Sequence, residues 1–145
     1  MAQLQVDGTP LQLRAEGIYR SVHFGVVGRI QLRYDQGFWN EWHLLFDDMR
    51  GGWLGEAQGN YAVSFLVQVP EAIPDLKDTA PGKKLHLNGK PYEIRDIQNA
   101  LCIAGEGELP FRVGPGYEAP VVDLLGENNT FATIDYSEES PLVFL

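Results

Sequence analysis

Residues 25–57, GVVGRIQLRYDQGFWNEWHLLFDDMRGGWLGEA, contain all three tryptophans of the chain and decide its fold. From Val26 to Tyr34 the even-numbered positions are apolar or glycine, while most odd-numbered positions are polar. From Phe38 to Phe46 the even-numbered positions again carry most of the apolar side chains. Alternation with a period of two is typical of half-buried β-strands. We therefore predict two antiparallel strands whose even-numbered side chains point inward, followed by a third strand around Trp53.

The segment Asp35-Gln36-Gly37 connects the two strands and suits a three-residue hairpin turn with glycine at its last position. Such a turn would place Leu32 opposite Asn40 and Ile30 opposite Trp42 on the inner face. Asn40 is the polar exception on that face, and we expect its amide to cap a bulge or a turn backbone. The same register would place three further pairs on the outer face: Arg33 with Trp39, Gln31 with Glu41, and Arg29 with His43.

The outer face of this hairpin is the candidate binding surface. Tryptophan and arginine are enriched at binding hot spots, and Arg33 stacked on an exposed Trp39 would form a cation–π pair worth about 0.5–1 kcal/mol. Trp53 is a candidate platform on which a small ligand could stack. The alternative is that another part of the chain covers this face and makes Trp39 a core residue. The predicted binding residues are Arg29, Arg33, Trp39, Glu41, His43 and Trp53.

The rest of the chain consists of short alternating runs separated by glycine-rich turns. Asn88-Gly89 lies between two such runs and is a strong signal for a β-hairpin. No segment combines a helical apolar stripe with capping residues. We predict an all-β fold of strongly bent antiparallel sheets, a barrel or a sandwich, with little or no helix.

The length of 145 residues fits one domain with its own core. Residues 70–82 contain three prolines and are predicted to form an irregular connection between two β-rich lobes, residues 1–69 and 83–145. The chain ends in the apolar run Pro-Leu-Val-Phe-Leu, so we expect it to be cut from a longer polypeptide.

The net charge of −9 disfavours nucleic acids and anionic membrane surfaces as partners, because phosphate binding needs clustered lysine and arginine. A single cysteine cannot form an internal disulfide, and no apolar run is long enough to cross a membrane. The N-terminus lacks the pattern of a signal peptide. We predict a cytoplasmic protein.

The sequence contains no recognisable catalytic or metal-binding set. No serine lies in a Gly-x-Ser-x-Gly motif, and Cys102 lies in an apolar run that is typical of a buried thiol. The three histidines lack the close partners that metal sites use. We predict no metal and no cofactor, and we keep a hydrolase that uses carboxylates and His43 as the less favoured alternative.

Five segments resemble a bacterial family catalogued as domain of unknown function 4178. They are Val26–Arg29 (VVGR), Trp39–Leu45 (WNEWHLL), Gly52–Leu54 (GWL), Gly89–Ile94 (GKPYEI) and Gly105–Pro110 (GEGELP). The resemblance implies a domain that occurs alone or in tandem within larger proteins, sometimes beside a zinc ribbon, and it supplies no catalytic residue. Because the chain has one cysteine, a zinc ribbon would lie outside it.

These observations predict a non-catalytic module that binds a protein partner, or acts as a scaffold, within a larger assembly. A small-molecule or sugar-binding β-barrel, with Trp53 as the stacking platform, is the alternative.

Overall fold

The computed structural model describes residues 11–34, 37–57, 60–109, 117–137 and 140–145. Besides two short 3-10 turns at Leu76–Asp78 and Glu127–Asn129, the elements in these ranges are all strands. The predicted antiparallel, all-β fold class is confirmed. The strands are β1 (Glu16–Tyr19), β2 (Val22–Tyr34), β3 (Gly37–Phe46), β4 (Gly51–Ala57), β5 (Asn60–Ser64), β6 (Leu66–Val67), β7 (Lys84–Leu87), β8 (Lys90–Gly107), β9 (Tyr117–Gly126), β10 (Phe131–Asp135) and β11 (Leu142–Phe144).

The chain divides into two compact units. The first consists of Met1–Phe65 and Leu101–Tyr117, and the second of Leu66–Ala100 and Glu118–Leu145. The 18-residue strand β8 contributes its first part to the second unit and its last part to the first. The proline-rich connection predicted at residues 70–82 lies inside the second unit.

The first unit is an antiparallel ladder in the order β5-β4-β3-β2-β8, and β1 pairs with the beginning of β2. Its apolar core is formed by side chains on one face of β2, β3 and β4, which we call the inner face. The buried core residues are Phe24, Val26, Trp42, Leu44, Phe46 and Leu54. Along β3 the predicted alternation is confirmed, because the even-numbered residues from Asn40 to Phe46 are buried and the odd-numbered ones are not.

The register predicted between β2 and β3 is wrong by one residue. Gly37 belongs to β3 and pairs with Tyr34, so the three-residue turn is also wrong, and residues 35 and 36 lie outside the described residues. Gln31 therefore pairs with Asn40, and Arg29 with Trp42. In this part of β2 the odd-numbered residues share the inner face with the even-numbered residues of β3.

A β-bulge at Val27 restores the predicted parity in the first part of β2. Val26 pairs with Leu44, whereas Gly28 pairs with His43, so Val27 is an extra residue in the ladder. The bulge lies where β2 changes its second neighbour from β1 to β8. The Val27 carbonyl turns out of the β2–β3 ladder and accepts the N–H of Glu108 at 2.6 Å.

The second unit contains the hairpin β7–β8 and the ladder β8-β9-β10-β11-β6. The hairpin predicted at Asn88-Gly89 is confirmed: both residues have positive φ, 53° and 77°, as a two-residue turn of type I′ requires. Even-numbered residues of β9 and β10 face a core that also receives side chains from β7, β8 and β11. The buried core residues are Leu87, Tyr92, Ile94, Val122, Leu124, Ala132, Ile134 and Val143.

Candidate functional site

The face of the β3–β4 ladder opposite the core of the first unit brings four of the predicted binding residues together. Trp39, Glu41 and His43 are alternate residues of β3, and Trp53 of β4 pairs directly with His43. We call these four residues the aromatic face. All four side chains are half-buried.

Contacts within the aromatic face fix its side chains. The Trp39 indole Nε1–H donates to Glu41 Oε1 at 2.9 Å. The rings of His43 and Trp53 lie 4.9 Å apart, centroid to centroid, with 34° between their planes. His43 Nδ1 lies 3.2 Å from the carbonyl oxygen of Glu108, which holds the imidazole ring from its other side. These contacts give the side chains of the aromatic face defined neighbours within the first unit.

Glycines in β4 make room for the polar side chains of β3. In β4, Gly51, Trp53 and Gly55 alternate on the aromatic face. The position that a Cβ atom would take at Gly55 is 3.4 Å from Glu41 Oε2, and the equivalent position at Gly51 is 3.4 Å from His43 Nε2. The side chains of β3 therefore lie across the backbone of β4, with Trp53 between them.

Two predicted binding residues do not belong to the aromatic face. Arg29 was predicted on the outer face, but the shifted register places it on the inner face, where it is only 8% exposed. Arg33 pairs with Phe38 rather than with Trp39, so the predicted stacking of Arg33 on Trp39 is wrong. Arg33 is exposed near the end of β2.

Arg29 instead belongs to a buried polar network on the inner face. Its Nε–H donates to Asn40 Oδ1 at 3.0 Å, and the Asn40 amide donates to Glu56 Oε1 at 3.1 Å. The Trp42 indole Nε1–H donates to the same Glu56 oxygen at 3.1 Å. Arg29 Nη1 also lies 3.7 Å from Glu106 Oε1. We call Arg29, Asn40, Trp42 and Glu56 the Arg29 network.

Within this network, Asn40 bridges the side chains of Arg29 and Glu56. The sequence does not single out Glu56, because a carboxylate two residues after Leu54 resembles an ordinary solvent-exposed strand end. The signal that could have found it is the parity of β4, which places Leu54 and Glu56 on one face and Trp53 on the other. A hydrogen bond to Glu56 also raises the pKa of Tyr61, which pairs with Glu56 from β5.

The polar groups of the aromatic face already have hydrogen-bond partners within the first unit. Glu41 accepts the Trp39 indole N–H, and His43 Nδ1 contacts a backbone carbonyl. Across the part of the chain that the structure describes, no group of three His, Cys, Asp or Glu side chains could hold a metal ion. Within the same residues, no helix has the length and apolarity needed to cross a membrane.

A family model described as domain of unknown function (DUF4178) matches residues 12–145. The chain belongs to this family. The matched part of this DUF4178 domain includes the second unit, the first unit from residue 12 onward, the aromatic face and the Arg29 network. No curated protein and no solved structure gives a significant match to the chain.

Proposed function

We propose that this DUF4178 domain is a non-catalytic interaction module that binds a protein partner through the aromatic face, as part of a larger assembly. The observation that carries the proposal is the convergence of Trp39, Glu41, His43 and Trp53 on one face of the β3–β4 ladder. That the protein is cytoplasmic and that it does not bind nucleic acids are still predictions from the sequence.

Three properties of the face support protein recognition. Tryptophan side chains supply large contact areas and are the residues most enriched at hot spots. The contacts of Trp39 with Glu41 and of His43 with Trp53 hold the side chains in place, so binding costs less conformational entropy. Leu45, the next residue of β3 on this side, is 41% exposed and extends the apolar area beyond His43.

The test is quantitative affinity purification of the intact protein from the cells that express it, with Trp39→Ala and Trp53→Ala compared with the unaltered chain. We expect at least a tenfold loss of a specific partner, since truncating a hot-spot side chain costs at least about 2 kcal/mol of binding energy. Phe38→Ala is the matched control: Phe38 precedes Trp39, is 45% exposed, and lies on the opposite side of β3. It should retain the partner.

Retention of every specific partner by both tryptophan variants, with unchanged circular dichroism and melting temperature, would contradict the proposal. Equal loss in Phe38→Ala would point to a general destabilisation rather than to a binding face.

A small-molecule or sugar-binding function is the second candidate, and the flanking glycines favour it. Because Gly51 and Gly55 carry no side chains, the β3 side chains His43 and Glu41 lie over the backbone of β4 on either side of Trp53. A sugar ring could stack on the indole with Glu41 as a hydrogen-bond acceptor. Titration of the intrinsic fluorescence with a panel of oligosaccharides tests this candidate: a saturable change that Trp53→Ala abolishes would support it, and no change with any sugar would exclude that panel.

A further inference from the structure

The side-chain amide of Gln98, on β8 in the second unit, lies between two carboxylates. Gln98 Nε2 donates to Asp96 Oδ2 at 2.7 Å, and it lies 3.5 Å from Asp123 Oδ2 on β9. An amide nitrogen carries two hydrogens, so it has one for each carboxylate. The first hydrogen bond is short, whereas the second is at the limit of the hydrogen-bond range.

The amide oxygen of Gln98 lacks a hydrogen-bond donor among the described residues. Gln98 Oε1 is buried and accepts no hydrogen bond from any residue that the structure describes. Buried polar atoms without a partner are rare and costly, and each one calls for an explanation. A hydrogen-bond donor close to Gln98 Oε1 would satisfy this atom.

Asp123 is the side chain that can supply this donor. Burial, together with the charge of Asp96, raises the pKa of Asp123 to about 6. From β10, the neutral Thr133 hydroxyl lies 3.5 Å from Asp123 Oδ1.

Two further carboxylates, on β9 and β10, have hydrogen-bond partners of their own. Glu118 on β9 accepts the amide of Asn99, and Asp135 on β10 accepts the backbone N–H of Ser137. Among the described residues, no lysine, arginine or histidine forms an ion pair with Asp96 or Asp123. The charges of Asp96 and Asp123 therefore repel each other, and no ion pair with a described residue offsets this repulsion.

We propose that Asp123 and Gln98 form a reversible carboxylic acid–amide pair between β8 and β9, closed when Asp123 carries a proton and open when it is ionised. In the closed state the Asp123 O–H donates to Gln98 Oε1, and the Gln98 N–H donates to the other Asp123 oxygen. The second amide hydrogen stays on Asp96. One proton from solvent binds on closing and is released on opening, so no other reactant takes part.

This arrangement accounts for the three unusual features of the cluster together. It gives Gln98 Oε1 its donor, removes one of two repelling charges, and converts the 3.5 Å contact into half of a two-hydrogen-bond pair. The proposal concerns the second unit alone and is independent of the function proposed for the aromatic face. It makes the link between β8 and β9 in this unit a sensor of mildly acidic pH.

Crystal structures of the whole chain at pH 4.5 and pH 8 test the geometry directly. At pH 4.5 we expect Gln98 Oε1 within about 2.5–3.0 Å of an Asp123 carboxyl oxygen, and at pH 8 we expect this contact to be open. The same distance at both pH values would overturn the proposal.

A titration in solution tests the linkage. We expect the side-chain carbonyl carbon of Gln98 and the carboxyl carbon of Asp123 to titrate together in NMR spectra, with one midpoint near 6. Asp123→Asn keeps the shape of the side chain and supplies a permanent donor, so the Gln98 signal should become independent of pH between 4.5 and 8. A Gln98 carbonyl signal that still titrates in this variant, or that never titrates in the unaltered protein, would overturn the proposal.

The folding equilibrium gives a third readout, besides the crystal structures and the NMR titration. Because the folded-state pKa of Asp123 lies above its unfolded value of 3.8, the ionised side chain destabilises the fold, and stability falls as the pH rises through the window from about 4 to about 6. The folding constant of the unaltered chain should fall by roughly a hundredfold relative to Asp123→Asn between pH 4 and pH 7. Asp96→Asn, the matched control, should lower the Asp123 midpoint but keep the Gln98 and Asp123 signals titrating together.

Discussion

The guanidinium carbon of Arg29 lies 4.7 Å from the centroid of the Trp42 indole, inside the first unit. Both side chains are buried, with exposures of 8% and 0%. A desolvated cation over an indole ring is worth about 2 kcal/mol or more. Arg29 Nε also donates to Asn40, so the cation is held by a ring on one side and by an amide oxygen at its edge. The sequence suggests that Arg29 belongs to a solvent-facing polar patch, but its guanidinium group lies in the interior of the first unit.

Replacing Arg29 should therefore destabilise the fold. Arg29→Met fills much of the same volume but removes the donor to Asn40 and the positive charge beside Glu106, and we expect a loss of about 2–4 kcal/mol in the free energy of unfolding. Urea denaturation monitored by tryptophan fluorescence measures it. Arg33→Met is the control, because Arg33 is exposed on the same strand, and it should change stability by no more than about 0.5 kcal/mol. Equal effects of the two substitutions would show that Arg29 is not specially held.

Gly28→Ala and Gly25→Ala are a second set of test and control variants, and both residues lie on β2. A Cβ atom at Gly28 would collide with the backbone oxygen of Glu108 and would lie 2.9 Å from the Leu109 side chain, whereas a Cβ at Gly25 would meet nothing within 4 Å. We expect Gly28→Ala to cost at least about 1–3 kcal/mol through overpacking. Gly25→Ala should change stability by less than about 1 kcal/mol. Thermal unfolding of the two variants measures the difference, and a harmless Gly28→Ala would mean that residues 108–109 do not pack on the bulge.

His23 should make stability fall as the pH rises above neutrality. Its Nδ1 lies 3.0 Å from Asp47 Oδ1 and its Nε2 2.9 Å from Glu16 Oε1, and the hydrogen bond with Asp47 leads the contacts that raise the pKa of His23 above 6.5. Because the folded pKa is the higher one, the stabilisation is complete below the unfolded value and is lost as the pH rises through the folded value. Urea midpoints should be measured from pH 5 to pH 9 for the unaltered chain and for His23→Gln, and the stability advantage of the unaltered chain should shrink as the pH rises. Parallel pH profiles of the two proteins would refute it.

Glu71 should stabilise the β7–β8 hairpin except in acid. Its two carboxylate oxygens accept the backbone N–H groups of Asn88 and Gly89, each at 2.8 Å, and the Gly89 bond is the main cause that lowers the pKa of Glu71 below 4.5. This stabilisation is present above the unfolded value and is lost as the pH falls through the folded value. We expect Glu71→Gln to lower the melting temperature at pH 7, and to lower it less at pH 3.

Glu127→Gln is the control for this measurement, because the Glu127 side chain is exposed. It should leave the melting temperature unchanged at both pH values. A Glu71→Gln protein that melts at the same temperature as the unaltered chain would show that the turn is stable without its carboxylate.

Apolar alternation predicts the strands of this chain better than their register. Along β3 the parity is readable because Trp42, Leu44 and Phe46 leave one face unambiguous. Along β2 the same parity is misleading after Val27, because the bulge turns Ile30 away from Trp42 and brings Arg29 toward it. A bulge adds one residue without changing the apolar character of its neighbours. The glycines Gly25 and Gly28 inside β2 indicate an irregularity there, but they do not say at which residue the register shifts.

The sequence predicts four residues of the candidate site correctly as one face, but it misplaces Arg29 and Arg33. Trp39, Glu41 and His43 come together because they alternate on β3, and Trp53 joins them through the β3–β4 register. The Arg29 network was not predictable, since a charged residue is almost never placed inside unless its partners are known in advance. Its carboxylate, Glu56, comes from another strand, and nothing local in the sequence links it to Arg29.

Because of the extra residue at Val27, the inward-facing positions of β2 change from even-numbered to odd-numbered along the strand. Phe24 and Val26 face inward before the bulge, and Arg29 and Gln31 face inward after it. Deleting Val27 would give β2 a single alternation along its whole length. Either Phe24 and Val26 would then leave the core, or Arg29 and Gln31 would leave the interior. A one-residue deletion at this point would therefore be more damaging than most substitutions on either side of it.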